Sequence, residues 1–412
     1  GPFTIPMMKK SGFKPETAAG IETAASTGGQ IMPPIMGASA FLIVEFTGIK
    51  YWDVVKVSIL PAVLYFLSVY TIVHLEARKG GIEGIPRDQL ERVWTVFKEG
   101  WYYLLPPVLI IIVLMRGQSV PFAGVVGIGS VIVLGGLKGA IGLYEKSRTV
   151  GIGMGDIAES VVAGLVNVIK ALEKGAIRSL PVCAAVAAVG IVMGALFQTG
   201  LGLKFSSMVV ALAGDSLFLA IILVGIASFV LGMGLPTSAA YIVLSVMAVP
   251  ALLDLGEPWG LSLLGAHLIV FWFSLDSCFT PPVCVPAYTA AGIAQANPSS
   301  AAWAAFRTAK GMYIIPIMFA FTSILLVDQP LALTQTFVAA VFGFLSTGAV
   351  IVGHMYVRLG AIERTILSVG ALGLFWPSLI FQIAGGVVLA TIFISQRMRY
   401  SKSLVSDSTP AE

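Results

Sequence analysis

Charged side chains are scarce in this sequence: Asp, Glu, Lys and Arg make up 11% of its 412 residues, whereas 57% are hydrophobic. Soluble domains average roughly a quarter charged residues, so this chain lacks the polar surface of a water-soluble fold. Long apolar runs are present instead, and about 20 apolar residues let one helix cross a bilayer. The sequence therefore predicts an all-α polytopic membrane protein. The runs cover residues 54–75, 120–137, 180–197, 217–231, 261–273, 313–327, 336–352 and 365–394.

Histidine and cysteine are equally rare, with three of each. The histidines are far apart and lack the spacing of metal ligands, and the cysteines form no CxxC pair. Neither HExxH nor GxSxG occurs, which argues against a metalloprotease or a serine hydrolase. We expect no cofactor, no disulfide framework and no enzymatic activity.

Basic residues are gathered in short clusters rather than along one stripe. Lys and Arg number 25 against 21 Asp and Glu, for a net charge of +4. Examples are Arg78–Lys79, Lys146–Arg148 and Arg397–Arg399, which flank apolar runs. This pattern is typical of short membrane loops and does not favour nucleic acid as a partner. The clusters are spread over both expected sides, so they assign no orientation.

An internal repeat is the most informative feature of the sequence. In each copy a proline is followed six residues later by a glycine, at Pro6–Gly12 and at Pro250–Gly256. A helix-length stretch then leads to small polar residues and a double proline. These segments read Ser26-Thr27-Gly28-Gly29-Gln30-Ile31-Met32-Pro33-Pro34 and Ser274-Leu275-Asp276-Ser277-Cys278-Phe279-Thr280-Pro281-Pro282. We interpret the two copies as a duplication.

A Gly/Pro break upstream of the second copy separates two short apolar arms. It spans residues 232–238 and predicts a re-entrant hairpin that enters and leaves the membrane on one side. The equivalent break of the first copy would precede residue 1, so we expect an N-terminally truncated chain, cut within its first hairpin. Secondary transporters are commonly built from two inverted repeats with broken helices that meet near the bilayer midplane.

The predicted fold is thus two inverted repeats with re-entrant helical hairpins and broken helices, as in elevator-type ion transporters. We expect five regions along the chain: the remainder of the first repeat, connecting and amphipathic arm helices with transmembrane helices, the second repeat, a C-terminal transmembrane extension and a polar tail. Their predicted bounds are 1–76, 77–179, 180–328, 329–400 and 401–412.

Two motifs resemble those of a known family, the large, DctM-like permease subunit of TRAP (tripartite ATP-independent periplasmic) transporters. They lie at residues 24–37 and 232–237, and the resemblance covers about residues 3–328. The Gly28-Gly29-Gln30 form is similar to the TAXI-associated, or fused, subgroup. The resemblance implies an elevator-type, Na⁺-coupled importer of a small organic anion (a carboxylate) in the bacterial or archaeal cytoplasmic membrane. It also implies two partners: a periplasmic substrate-binding protein and a small membrane subunit, separate or fused at the N-terminus.

The break in the second hairpin is the first candidate site for sodium or substrate. Glycine frees the backbone, proline removes an N–H group, and the threonine hydroxyl is a suitable ligand for a hard cation. Freed carbonyls at such a break can coordinate Na⁺. The alternative is a merely kinked transmembrane helix. The candidate residues are Gly232, Gly234, Pro236, Thr237 and Ser238.

Small polar residues beside the double prolines form the second candidate site. They suit a helix break that faces a cavity, although close helix packing also favours Gly, Ser and Thr. Asp276 stands out because a carboxylate at membrane depth costs several kcal/mol and usually pairs with a cation or proton. It would either ligate Na⁺ or cap the following helical segment. The candidates are Ser26, Thr27, Gly28, Gly29 and Pro33 in the first copy, and Ser274, Asp276, Ser277 and Thr280 in the second.

Three further segments carry structural predictions only. Asp156–Arg178 has the apolar spacing of an amphipathic helix on the membrane surface, either an elevator arm or a connecting helix. Gly80–Glu99 is similarly mixed. Glu45 is expected to snorkel to the interface near Gly48.

Three other functions compete with this interpretation. A stand-alone carrier for dicarboxylates or oxyanions would share the architecture without needing a binding protein. An intramembrane enzyme would need a nucleophile within reach of a base. A structural scaffold would have no reason to keep broken helices at membrane depth.

Overall fold

The chain is helical almost throughout. A computed structural model describes residues 1–83, 92–150 and 154–407, and the only bridge of β type in those ranges joins His354 and Arg358. The chain divides into two compact units, one formed by residues 1–49, 53–84 and 193–412 and the other by residues 50–52 and 85–192. The predicted all-α class is confirmed.

The α-helices are distributed along the whole described chain. They are α1 (Thr4–Lys10), α2 (Pro15–Gly28), α3 (Ala38–Thr47), α4 (Tyr51–Lys79), α5 (Val93–Gly100), α6 (Leu105–Met115), α7 (Val120–Val150), α8 (Met154–Thr199), α9 (Leu201–Ala213), α10 (Leu217–Gly232), α11 (Thr237–Gly256), α12 (Leu263–Phe273), α13 (Val285–Ala294), α14 (Pro298–Thr308), α15 (Gly311–Phe321), α16 (Pro330–Val352), α17 (Ala361–Phe375) and α18 (Leu379–Asp407).

Six helical stretches in the described part of the chain are long and apolar enough to cross a membrane, and a bent pair around Gly200 raises that number to seven. The pair meets at 69°. This inventory supports the predicted polytopic architecture. The six stretches are Tyr51–Lys79, Val93–Met115, Val120–Leu143, Thr237–Trp259, Pro330–Val352 and Leu379–Lys402.

Several expected boundaries were wrong. The predicted surface helix Asp156–Arg178 continues without a break into the apolar run 180–197, and neither Gly175 nor Pro181 ends α8. The run 365–394 is two helices, since Pro377 lies in the turn between α17 and α18. The span Val93–Met115 went unpredicted because Lys98 and Glu99 interrupt its apolar pattern.

Other predictions fall partly beyond the described ranges. The segment Gly80–Glu99 includes residues 84–91, which lie outside the described residues, while α5 begins at Val93. Residues 408–412 of the expected polar tail also lie outside them, and α18 extends into the tail as far as Asp407. Glu45 is exposed near the end of α3, as snorkelling requires.

The two sequence copies share an order of elements. In the first copy, α2 leads through an irregular segment with Pro33-Pro34 to α3; in the second, α12 leads through a segment with Pro281-Pro282 to α13. In both copies the helix after the double proline ends at a residue with a left-handed backbone conformation. These residues are Gly48 after α3, with φ 68°, and Gln295 after α13, with φ 54°. The element order therefore agrees with a repeat, whereas the inverted orientation of the copies stays a prediction.

Small residues bring the two copies into close contact. A Cβ atom on Gly20 of α2 would lie 2.6 Å from the Ala304 Cβ and 2.7 Å from the Ala305 nitrogen of α14. Buried alanines of α2 and α13, including Ala18, Ala19 and Ala291, extend this contact. Helices that meet through such small side chains approach closely enough for their backbones to pack. The two copies therefore pack closely against each other within the first unit.

The C-terminal helices are fastened to the first copy through α4. Ile72 of α4 shares a buried apolar cluster with residues of α16, α17 and α18. Beyond that cluster, the Lys79 Nζ donates a hydrogen bond to the Val352 carbonyl oxygen at 3.1 Å, and the Arg78 guanidinium lies 4.6 Å from the centre of the Tyr356 ring. These helices are therefore part of the first unit's core.

The second unit contains α5 to α7 and most of α8. Ile110 of α6 packs where a Cβ atom on Gly127 of α7 would lie, and the Lys138 Nζ donates a hydrogen bond to the Tyr103 hydroxyl at 2.9 Å. Most apolar side chains described on these helices are exposed. Lipid is the natural neighbour of such surfaces.

The contact of Gly348 with α4 provides a test of this attachment. A Cβ atom at Gly348 would lie 2.6 Å from the Thr71 Cγ2, so Gly348→Ala is expected to destabilise the protein by about 1–3 kcal/mol through overpacking. Gly386→Ala, at a helical glycine with no atom in the way, is the matched control and should be neutral or slightly stabilising. Thermal unfolding in detergent measures both, and equal effects would contradict the packing described.

Candidate functional site

The break in the second hairpin lies between α10 and α11. Met233 and Pro236 have extended backbones, and Gly234 has φ +80°, a conformation that disfavours residues with a side chain. The break leaves residues 233–236 exposed, while Ser238 is buried inside the first turn of α11. The predicted interruption of the helix at Gly232–Thr237 is present.

The break in the first copy follows α2. Its last residue, Gly28, is buried against the rings of Tyr65 and Phe66, where a Cβ atom would lie 3.1 Å from the Phe66 Cζ. The Tyr65 hydroxyl donates a hydrogen bond to the Ala24 carbonyl oxygen at 2.8 Å. Gly28 therefore has a packing role, because a larger residue would displace the ring that holds α2.

The remaining first-copy candidates differ in their surroundings. The Ser26 hydroxyl is exposed and donates to the Glu22 carboxylate at 2.8 Å. Thr27 is buried, Gly29 is exposed and Pro33 is half-buried. None of these four lines the cavity beside Asp276, described next.

The segment after α12 places Asp276 beside a cavity. The cavity has a volume of about 340 Å³, and its lining includes Gly225, Asp276, Thr280 and Tyr313. The Thr280 Oγ1 donates to the Asp276 carbonyl oxygen at 2.8 Å and lies 2.7 Å from the Tyr313 hydroxyl oxygen. Asp276 is 3% exposed, and among the described residues its Oδ1 has no hydrogen-bond partner.

One face of α10 packs against this segment. A Cβ atom on Gly232 would lie 3.3 Å from both the Cβ and the Oγ of Ser277, and Gly225 lines the same cavity as Asp276. Ser228 stands between them at helical spacing, so it shares their face. It is 1% exposed, and its Oγ likewise lacks a partner within the described ranges. The Ser228 Oγ therefore lies on the face of α10 that packs against the segment containing the Asp276 Oδ1, and both oxygens lack a hydrogen-bond partner within the described ranges.

A hydrogen bond joins the breaks of the two copies. The Thr237 Oγ1 at the start of α11 donates to the Gln30 Oε1 at 2.8 Å, across 207 residues of sequence. Helix α3, which follows the first break, also packs against α11 and α12. The second hairpin and the first-copy motif thus meet in one region of the first unit.

The structure brings together part of the predicted set. Thr237 meets the first break, and Gly232, Ser277, Asp276 and Thr280 form one cluster around α10. Ser274, 1% exposed, donates to the Phe271 carbonyl oxygen at 2.6 Å and is committed to its own helix.

Sequence reasoning missed three residues of the region. Gln30 was quoted within a motif but not singled out, and no pattern in the sequence marks Tyr313. Ser228 did leave a signal, since it is a polar residue inside the apolar run 217–231.

These features define a class: a multi-pass helical membrane protein whose broken helices gather polar groups in its interior. A family model for the tripartite ATP-independent periplasmic transporter, DctM component, matches residues 1–331. This match covers most of the chain, so the protein belongs to the DctM family of TRAP transporter permeases. It is therefore a transporter component and not an enzyme. The comparison with curated proteins finds no match.

The bond between Thr237 and Gln30 can be tested by a double-mutant cycle. Thr237→Val and Gln30→Met each remove one partner, and together they should destabilise less than the sum of the single changes. The expected coupling is about 0.5–1.5 kcal/mol, the net contribution of one hydrogen bond. Reversible unfolding in detergent measures the four proteins. Strict additivity would contradict the contact between the two copies.

Proposed function

We propose that this chain is the permease subunit of a sodium-driven importer for a small organic anion. The observation that carries this proposal is the buried Asp276 carboxylate, whose Oδ1 has no hydrogen-bond partner within the described ranges. A carboxylate buried without a partner is costly, and in membrane proteins such residues pair with a cation or proton on a transport path. Na⁺ would supply the missing partner.

The chemistry around Asp276 suits a hard cation. Oxygen is the preferred ligand of such ions, and the region contributes the Asp276 carboxylate and the hydroxyls of Ser228, Ser277 and Thr280. Gly232 ends α10 beside Ser277, and its carbonyl oxygen accepts one hydrogen bond, from the Leu235 N–H at 3.2 Å, which leaves it a second lone pair. We assign the proposed sodium site to this cluster and not to Ser26, which is exposed and does not line the cavity beside Asp276.

The helix N-termini at the three breaks favour an anionic substrate. Helices α3, α11 and α13 begin directly after the three irregular segments. The N-terminus of a helix carries a partial positive charge and free N–H groups, which favour a carboxylate. Gln30 and Thr237 lie beside the start of α11 and would orient that group. The substrate class proposed is therefore a small carboxylate.

The partners and location follow the family name. The DctM component belongs to a tripartite, periplasmic transport system. We propose a periplasmic binding protein that delivers substrate, a small membrane subunit, and the cytoplasmic membrane of a bacterium or archaeon as the location. The Gly28-Gly29-Gln30 form of the first motif leads us to propose the TAXI-associated subgroup. An elevator-type movement of the broken-helix core is proposed on the same family grounds.

Sodium binding predicts a stability effect that does not need transport. Sodium at 100 times its Kd should raise the free energy of unfolding by about 2.7 kcal/mol. Asp276→Asn should abolish this stabilisation, because the amide removes the charge that pairs with the ion. Asp254→Asn changes an exposed aspartate of α11 and is the matched control. Thermal unfolding in NaCl against choline chloride measures the three proteins, and sodium stabilisation retained in Asp276→Asn would remove Asp276 from the site.

Uptake in proteoliposomes tests the transport itself. The chain is reconstituted with the small subunit and the candidate binding protein, and radiolabelled carboxylates are supplied with or without an inward Na⁺ gradient. We expect uptake to need both the gradient and the binding protein, and to fall in Thr237→Ala and Asp276→Asn but not in Asp254→Asn. Uptake without the binding protein would favour a stand-alone carrier. Uptake driven by a pH gradient alone would make Asp276 a proton site instead.

A further inference from the structure

A second, larger cavity lies between the second copy and the C-terminal helices. Its volume is about 920 Å³, at the upper end of the range of roughly 300–1,000 Å³ for pockets that hold small organic molecules. Helices α10 and α15 form one wall, and α16 and α17 form the other. Asp276 and Thr280 do not line it, and Ile317 is the residue that its lining shares with the cavity beside Asp276.

The interior of this cavity is apolar. Leu217, Met318 and Ala371 line it and are 1%, 2% and 4% exposed. Further apolar side chains of the wall are Ile314, Ile317, Leu372 and Phe375. Polar groups are few, and the Ser368 hydroxyl already donates to the Arg364 carbonyl oxygen at 2.7 Å. Water gains few hydrogen bonds in such a space, whereas a hydrocarbon chain is stabilised by burial there.

The rim of the cavity is formed at helix ends. Asp215 directly precedes the N-cap of α10, Thr322 follows α15 and Trp376 follows α17. Trp259, in the short turn between α11 and α12, completes the rim, and the two tryptophans are 59% and 54% exposed. Tryptophan at helix ends is typical of the membrane–water interface. The cavity therefore opens where lipid head groups lie.

The negative charge of Asp215 at the rim favours some lipid head groups over others. Asp215 is the charged residue of the described lining, which includes no Lys or Arg. A carboxylate attracts an ammonium group and repels a lipid of net negative charge. Charge complementarity thus favours a head group that carries an amine.

We propose that this cavity binds a phospholipid with an ammonium head group, represented by phosphatidylethanolamine. One acyl chain lies between α15 and α17, and the head group lies beside Asp215 and Trp259. The site is independent of the sodium and substrate sites proposed above. It assigns a binding role to the C-terminal helices, which apart from the first two residues of α16 lie beyond the family match that ends at 331.

Filling the cavity tests the position of the acyl chain. Ala371→Phe places a ring in the apolar interior, whereas Val369→Phe adds the same ring at a site on α17 that is 65% exposed and not part of the lining. The full chain is purified in mild detergent, stripped of lipid and titrated with dioleoyl-phosphatidylethanolamine under native mass spectrometry. Ala371→Phe should weaken saturable binding of the first lipid by about tenfold. Wild type and Val369→Phe should bind alike.

A second variant tests the head group without filling the core. Asp215 is exposed, so Asp215→Asn should leave the fold intact. Wild type is expected to bind phosphatidylethanolamine about tenfold more tightly than phosphatidylglycerol, and Asp215→Asn should remove most of that preference. Equal binding of the two lipids by wild type would overturn the head-group assignment. Unchanged binding in Ala371→Phe, or no saturable binding to any variant, would overturn the site.

Discussion

Unpaired backbone groups cannot face lipid, and the core of this protein is arranged around that constraint. Three irregular segments interrupt helices, and each finds protein neighbours in the same unit. The first meets the second hairpin through Gln30 and Thr237, and the segment after α12 meets α10 through Ser277 and Gly232. The contacts bury part of each break, since Gly232, Ser277 and Asp276 are buried while residues 233–236 stay exposed. The same breaks bring hydroxyl, carboxylate and carbonyl oxygens together in the interior.

Glycines occupy positions where elements within or between the two copies approach each other closely. Gly28 admits the Tyr65 ring, Gly20 admits the backbone of α14, and Gly232 admits Ser277. A side chain at any of these positions would hold two elements apart. These glycines therefore act through packing, and the ion and substrate sites proposed above depend on the close contacts that they allow.

The fold could be predicted from the sequence where physical signals were local. Apolar runs marked most of the spans, and Gly/Pro motifs marked the breaks at 29–37 and 233–236. Boundaries failed where the same local signal has two outcomes: α8 continues through Gly175 and Pro181, whereas the run 365–394 is divided at Pro377. Asp276 was identifiable because a carboxylate is conspicuous in an apolar sequence. Gln30 and Tyr313 were not, because their roles depend on partners 207 and 33 residues away.

Helix α15 contributes to the walls of two cavities. Ile317 lines both the cavity beside Asp276 and the larger apolar cavity next to the C-terminal helices. The buried Asp276 carboxylate belongs to the first lining alone, so one aliphatic side chain is the partition that the two cavities share. Trimming that side chain would enlarge both cavities at once and join the two sites proposed above into a single space.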